Sequence, residues 1–274
     1  MNNSELSDEQ IEMLLSDILE VYGYDFTGYS RASIKRRILR LYALDKFVSF
    51  AEFRYRIRNG RDYFGRFLEQ VTINVTEMFR DEEFYKTLRK KVMPYLGTYP
   101  FIRIWIAGCS TGEEAYSIAI ILKELNLLHK SLIYATDINS TVVEKASQAV
   151  YELNKMKTYS ENYIKAGGTQ NFSDYYSANY SLAKFNDELK SKIIFSTHNL
   201  ASENSFNQFQ LILCRNVMIY FDRPLQLKVF ELFNDSLDNL GFLGLGTKET
   251  LDFSTISNKY SRLGIEKIWR KIIE

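Results

Sequence analysis

The stretch from Ile102 to Asn139 constrains this chain more than any other. An apolar run, Ile102-Arg103-Ile104-Trp105-Ile106-Ala107, meets the turn Gly108-Cys109-Ser110-Thr111-Gly112, and the spacing of Ala115, Ile118, Ala119, Leu122 and Leu125 then predicts a helix. Leu132 to Thr136 reads as a second strand that ends in Asp137. Glycines at both ends of the turn remove side chains where a nucleotide-like group would approach, and the helix N-terminus offers unpaired N–H groups. Asp137 falls where a doubly wound fold places the acid that accepts hydrogen bonds from ribose hydroxyls. An ordinary βαβ unit with a capping acid would show the same bare outline.

The chemistry of the turn separates these readings. A dinucleotide fingerprint would read G-x-G-x-x-G, and a phosphate loop would end in Gly-Lys-Ser/Thr; this turn has neither. Glu113 and Glu114 open the helix instead. Carboxylates there suit the helix dipole but repel a pyrophosphate on the same N-terminus. A cofactor with a cationic head fits better. S-adenosylmethionine carries an ammonium and a sulfonium at one end and a ribose further along, matching Glu113 or Glu114 and Asp137.

At 274 residues, 46% hydrophobic and 25% charged, the chain can bury the core of one large or two modest domains. No apolar run approaches the roughly 18 residues of a membrane span, and the polar, acidic start is unlike a signal peptide, so a cytoplasmic protein without membrane insertion is expected. Cys109 and Cys214 are expected as reduced thiols, and two histidines, His129 and His198, argue against a metal site.

Residues 1–30 hold seven acids and no Lys or Arg, whereas residues 31–66 hold eleven bases against three acids. Such polarity reports either a partner or internal pairing of helices. Ile11, Leu14, Leu15, Ile18 and Leu19 form one helical stripe behind Ser7, with Gln10 at capping-box spacing. Ile34, Ile38 and Leu41 form a second stripe, and Arg31, Lys35, Arg36, Arg37 and Arg40 occupy the other faces of that helix. With Arg54 and Arg58 on the next helix, this concentration reads as a docking surface. The expected organisation is an all-α domain over 1–85, a linker over 86–101 punctuated by Pro94, Gly97 and Pro100, and an α/β domain over 102–274. Residues 151–192 lack a clear period and read as an inserted subdomain. A helix from Pro224 to Leu240 is expected to lead into a strand over 241–246.

Four motifs together resemble the CheR family of chemotaxis receptor methyltransferases: Asn74-Val75-Thr76-Glu77-Met78-Phe79-Arg80, Gly108 to Ser117, Ala135-Thr136-Asp137-Ile138, and Cys214-Arg215-Asn216-Val217-Met218-Ile219-Tyr220-Phe221. The resemblance spans nearly the whole chain in the family's order. It implies a Rossmann-like methyltransferase domain with a mostly parallel doubly wound sheet, a small inserted β-subdomain and a helical N-terminal domain. It further implies methyl transfer from S-adenosylmethionine to glutamate carboxylates of chemotaxis receptors, with S-adenosylhomocysteine as product.

On this resemblance, Asn74, Thr76 and Arg80 contact the cofactor or the transferred methyl region, and Gly108 lets the cofactor approach the turn. Glu114 holds the ammonium with Glu113 as second candidate, Asp137 holds the ribose, and Asn199 and Leu200 flank the adenine. Cys214 and Arg215 act mainly through their backbone, and Arg80 and Tyr220 orient the acceptor carboxylate. The basic helices meet the acidic helical methylation region of the receptor. Ser177 to Lys192 contains no glycine, which argues against tethering to a receptor's C-terminal peptide through the glycine-rich loop of other members. A non-catalytic cofactor-binding scaffold, or a methyltransferase acting on nucleic acid, would share parts of the pattern; the near-neutral net charge and lack of a stacking platform argue against nucleic acid.

Overall fold

The computed structural model describes residues 6–72 and 75–272. Two compact units emerge, one of residues up to 72 with Tyr220–Lys228, the other of residues 75–219 with 229–272. No helix among the described residues is long and apolar enough to cross a membrane.

The first unit holds α1 (Asp8–Tyr22), α2 (Arg31–Leu44), α3 (Phe50–Asn59) and α4 (Arg61–Val71). The stripe Ile11, Leu14, Leu15 and Ile18 is buried with Ile34, Ile38, Leu41, Phe53, Ile57 and Phe67. Ser7 and Gln10 cap α1 reciprocally, Ser7 Oγ accepting from Gln10 N–H at 3.2 Å and Gln10 Oε1 from Ser7 N–H at 3.0 Å. Tyr220 to Asp222 also belong to this unit. Ser30 N–H, at the start of α2, donates to Tyr220 O at 2.8 Å; Asp222 N–H donates to Gly28 O at 2.8 Å; Tyr29 and Phe221 form an antiparallel bridge. The domain expected over 102–274 is therefore not one contiguous unit.

Much of the charge polarity is internal pairing. Arg31 faces Glu12, Lys35 Nζ lies 2.6 Å from Asp8, and Arg54 and Arg58 both grip buried Asp17, with Arg58 reaching Glu20 at 3.0 Å. Arg31, Lys35, Arg54 and Arg58 are thus engaged by the chain's own acids. Arg36, Arg37 and Arg40 have no carboxylate partner among the described residues. The sequence shows only summed charge; which acid meets which base depends on how α1 packs against α2 and α3.

From residue 82 the chain runs α5 (Glu82–Thr87), a π-helical turn (Leu88–Val92), α6 (Met93–Leu96), β1 (Ile102–Ala107), α7 (Glu113–Glu124), β2 (Ser131–Asp137), α8 (Ser140–Gln148), β3 (Val150–Glu152), α9 (Lys155–Lys165), β4 (Tyr176–Asn179), β5 (Leu182–Phe185), α10 (Asp187–Lys190), β6 (Ile193–Thr197), β7 (Phe209–Cys214), α11 (Arg223–Ser236), β8 (Leu237–Leu245), β9 (Tyr260–Arg262) and β10 (Ile268–Lys271). Two expectations change. The linker over 86–101 is helical to Leu96, because Leu88, Val92, Met93 and Leu96 form a buried face and Pro94 sits in the first turn of α6, where its missing N–H is tolerated. The helix expected to reach Leu240 stops at Ser236, and Leu237 already pairs with Phe209 as the first residue of β8.

The main sheet has the order β6-β2-β1-β7-β8-β10-β9, parallel from β6 through β8, with β10 antiparallel to both neighbours. This is the mostly parallel sheet expected, and β3-β5-β4 form a small antiparallel sheet within the inserted stretch. Every residue of β7 is buried, as befits a central parallel strand covered on both faces. Register aligns the carboxyl ends: Ala107 pairs with Thr136, Asp137 with Thr197, and Ile106 with Leu213. Gly108 and Asn199, which follow β1 and β6, and Cys214, the last residue of β7, are therefore delivered with Asp137 to one edge of the sheet.

Candidate active site

The turn after β1 is held by its neighbours. Gly108 N–H and Cys109 N–H both donate to Thr136 O at 2.8 Å, and Thr136 Oγ1 accepts from Trp105 Nε1 at 2.8 Å. Gly108 has φ +80°, and a Cβ there would run into Val217 Cγ2, so glycine is required on both counts. Ser110 is also left-handed at φ 50°, and its buried hydroxyl oxygen has no hydrogen-bond partner among the described residues.

Asp137 braces this turn. Its Oδ2 accepts from Ser110 N–H at 2.9 Å and its Oδ1 from Asn139 N–H at 3.0 Å. Burial raises the carboxyl above the usual Asp value, while N–H groups of Asn139, Ser110 and Ile138 pull it back. The capping role is thus realised, and an ionised carboxylate keeps lone pairs for further donors. His198 N–H donates to Asp137 O at 3.1 Å, joining the next loop to the same corner. There Asn199 Oδ1 accepts from Ala201 N–H at 2.9 Å, and Leu200 is buried.

The two acids at the start of α7 differ in environment. Glu113 is buried, accepts from Thr111 Oγ1 at 2.6 Å and Tyr159 hydroxyl at 3.2 Å, and is pushed up by burial. It serves the packing of the turn. Glu114 Oε1 accepts from Arg215 Nη1 at 2.8 Å and from Tyr85 hydroxyl at 3.2 Å, whereas no hydrogen bond to Oε2 is seen among the described residues.

Arg215 is engaged through its side chain. The guanidinium is buried, donates to Glu114, to Asp81 Oδ2 at 2.8 Å and to Arg80 O at 2.8 Å, and lies over the Phe84 ring at 4.3 Å. Burial alone would weaken its hold on the proton, but Glu114, Tyr85 and Asp81 outweigh it and raise the pKa. Arg215 thereby clamps the loop that bears Thr76 and Arg80. That loop has Phe79 and Asp81 in left-handed conformations, with Phe79 N–H donating to Ser117 Oγ on α7 at 3.1 Å. Arg80 Nη1 reaches back to Val75 O at 3.2 Å, and Thr76 is half-buried. Asn74 lies outside the described residues.

Burial drives both thiols, Cys109 and Cys214, well above the ordinary value, so they stay protonated rather than nucleophilic. Sequence reasoning missed Glu249. Buried after β8, it accepts from Gly246 N–H at 2.6 Å, Asn216 N–H at 3.0 Å, Val217 N–H at 2.9 Å, Met218 N–H at 2.8 Å and Ile219 N–H at 3.3 Å. It fixes the segment after Cys214, including the Val217 that closes on Gly108. Its only trace in the sequence is an acid three residues after Gly246, the glycine that follows β8. Tyr220 lies in the other unit, with Arg37 above its ring.

These residues fit S-adenosylmethionine. Glu114 offers a carboxylate oxygen to an ammonium, Asp137 offers acceptors to hydroxyls, and the orphaned Ser110 hydroxyl supplies a donor at a turn stripped of side chains at Gly108 and Gly112.

A family model described as "CheR methyltransferase, SAM binding domain" matches residues 74–267, and one described as "CheR methyltransferase, all-alpha domain" matches residues 9–72. A Pseudomonas putida protein named as a methyltransferase, Cher3, is 43% identical over 274 residues, covering 99% of this chain and 100% of that one. The chemotaxis protein methyltransferase of Listeria innocua is 30% identical, covering 84% of this chain and 85% of its own length. That of Salmonella typhimurium is 30% identical, covering 94% and 89%.

Proposed function

The chain belongs to the CheR methyltransferase family, with S-adenosylmethionine as cofactor, and from that premise we propose that it methylates glutamate side chains in the acidic helical methylation region of chemotaxis receptors. The observation that carries this reading is Glu114. Its carboxylate is fixed at the mouth of the glycine turn by buried Arg215, with one oxygen left for the cofactor ammonium. Asp137 takes the ribose, Asn199 and Leu200 border the adenine, and Thr76 and Arg80 reach the methyl region.

The chemistry needs no general base. A glutamate with a reference pKa of about 4.3 is ionised at neutral pH. The cofactor supplies a methyl on a sulfonium. A carboxylate oxygen forms the new O–CH3 bond as the C–S bond breaks, and its electron pair leaves with sulfur, giving a methyl ester and S-adenosylhomocysteine with no proton moved. What this chain adds is positioning, for which well-aligned reactants gain on the order of 7–11 kcal/mol. Arg80 and Tyr220 orient the acceptor carboxylate. Arg36, Arg37 and Arg40 provide the positive face that meets the receptor's acidic helices.

The test is incubation of this chain with tritiated S-adenosylmethionine and membranes holding one full-length chemoreceptor. Alkali-labile label on the receptor supports a carboxyl ester. Cofactor binding with no label on any receptor would favour a non-catalytic scaffold.

A further inference from the structure

The inserted stretch reaches back to the glycine turn. The Tyr151 hydroxyl, on β3, donates to Thr111 O at 2.8 Å, and the Tyr159 hydroxyl, on α9, donates to Glu113 Oε1 at 3.2 Å. The residues on either side of Gly112 are thus both held by tyrosines of that stretch, and Thr111 Oγ1 donates to Glu113 Oε2 at 2.6 Å between them. The approach is close, since a Cβ on Gly112 would lie 3.2 Å from the Tyr151 hydroxyl. Glu113 and Tyr159 are buried, and burial raises the pKa of each. Apolar side chains of the same shape could fill such a place at little cost in stability, so what the polar contact adds is a fixed geometry.

The same helix makes a second contact. Asn162 Nδ2 donates to Met78 O at 3.1 Å, in the loop that bears Thr76 and Arg80. Tyr159 and Asn162 stand at i and i+3 of α9, hence on one face of it. Ser117 Oγ joins the two held segments, accepting from Phe79 N–H at 3.1 Å and donating to Glu113 O at 2.7 Å. One helix face of the inserted stretch therefore bonds both the start of α7, where Glu114 lies, and the Thr76–Arg80 loop.

We propose that α9 is a positioning element for the cofactor, Tyr159 setting the glycine turn and Asn162 the Thr76–Arg80 loop, so that cofactor binding and order in the inserted stretch are energetically coupled. This rests on the cofactor placement at Glu114 and Asp137 given above and involves no acceptor. Coupling of this kind is reciprocal: what the brace adds to cofactor affinity, the bound cofactor returns as stability of the brace.

The experiment compares the full-length wild type with Tyr159→Phe, Asn162→Ala, Tyr163→Phe and Glu114→Gln. S-adenosylhomocysteine affinity is measured by calorimetry, and amide hydrogen exchange is followed across α9 with and without S-adenosylhomocysteine. Tyr159→Phe and Asn162→Ala should each weaken binding by about fivefold. S-adenosylhomocysteine should slow exchange in α9 of the wild type, and slow it less in either variant. Asn162 is half-buried, so its variant carries the test should Tyr159→Phe not fold. Tyr163→Phe is the structural control: its hydroxyl also runs from α9 to an acid of α7, but to Glu124 at the far end of that helix. It should lower the urea midpoint and leave affinity within a factor of about two. Unchanged affinity in the folded Tyr159→Phe and Asn162→Ala, or an equal loss in Tyr163→Phe, overturns the proposal. If Glu114→Gln also binds as wild type does, the cofactor placement fails with it; if Glu114→Gln alone binds weakly, only this inference is removed.

Discussion

Arg215 Nη1 donates to Glu114 Oε1 at 2.8 Å from within a buried guanidinium. The pair joins the segment after β7 to the first turn of α7, so the acid proposed to hold the cofactor is itself held. Truncating one partner of a buried pair leaves the other uncompensated, at a cost of about 3–5 kcal/mol. Arg215→Met should therefore unfold at markedly lower urea than wild type. Glu114→Gln keeps an oxygen for Arg215 while losing the charge offered to an ammonium. It should stay within about 1 kcal/mol of wild-type stability and weaken S-adenosylhomocysteine binding at least tenfold by calorimetry.

Gly108 makes a second, separable prediction. Gly108→Ala meets both a positive φ and the methyl of Val217. Left-handed strain for a residue with a Cβ is about 1–2 kcal/mol, and the overlap adds to it. Val217→Ala in the same chain should recover the overlap but not the strain, so the double variant should melt between Gly108→Ala and wild type.

How much of this was legible in the sequence follows the range of the interactions. The βαβ unit at Ile102–Asp137 could be read because period and turn chemistry are local, and the Ser7–Gln10 cap for the same reason. The pairing of Asp17 with Arg54 and Arg58 spans some forty positions, and sequence shows such pairs only as summed charge. The side-chain contacts of Arg215 went unread because its partners, Asp81 and Glu114, come from two other segments brought together by the sheet. Glu249 was missed because its partners are backbone N–H groups, which carry no sequence signature. The end of α11 was misplaced because Leu237 to Leu240 suits helix or strand equally, and pairing with β7 decides it.

Glu249 bears on pH. Glu249→Gln loses one of the two oxygens that serve five backbone donors and should cost about 1–3 kcal/mol, with weaker S-adenosylhomocysteine binding because Asn216 to Ile219 are released. Burial raises the wild-type carboxyl, although the backbone donors oppose it. An acid raised in the folded state lends stability that is fully present below its unfolded value of about 4.3 and is lost as pH rises through the folded value. The stability difference between wild type and Glu249→Gln, by urea titration at a series of pH values, should shrink over that interval. A constant difference would show that the carboxylate is not raised.

Arg80 is positioned through its backbone, held by Arg215, while its guanidinium rests on Val75 O. A side chain that orients the acceptor should matter only once the acceptor is present. Arg80→Ala should thus lower methyl transfer by about 100-fold and leave S-adenosylhomocysteine affinity within a factor of about two. Equal losses in both would assign Arg80 to the cofactor instead.

Asp17 separates internal charge pairing from partner docking. It is buried in α1 and bonded by Arg54 and Arg58, and those hydrogen bonds, Arg54's first, hold its carboxyl below the usual range against the opposing effect of burial. A lowered acid stabilises the fold above its unfolded value of about 3.9, and that contribution is lost as pH falls through the lower folded value. Asp17→Asn should cost about 2–3 kcal/mol at neutral pH and flatten the acid limb of the stability curve below about pH 4. It also frees Arg54 and Arg58 to meet an external acid. Receptor affinity of a folded Asp17→Asn should therefore rise at low salt and return toward wild type as salt screens the added charge. A drop in affinity would mean that the Asp17 pair shapes the docking surface rather than masking it.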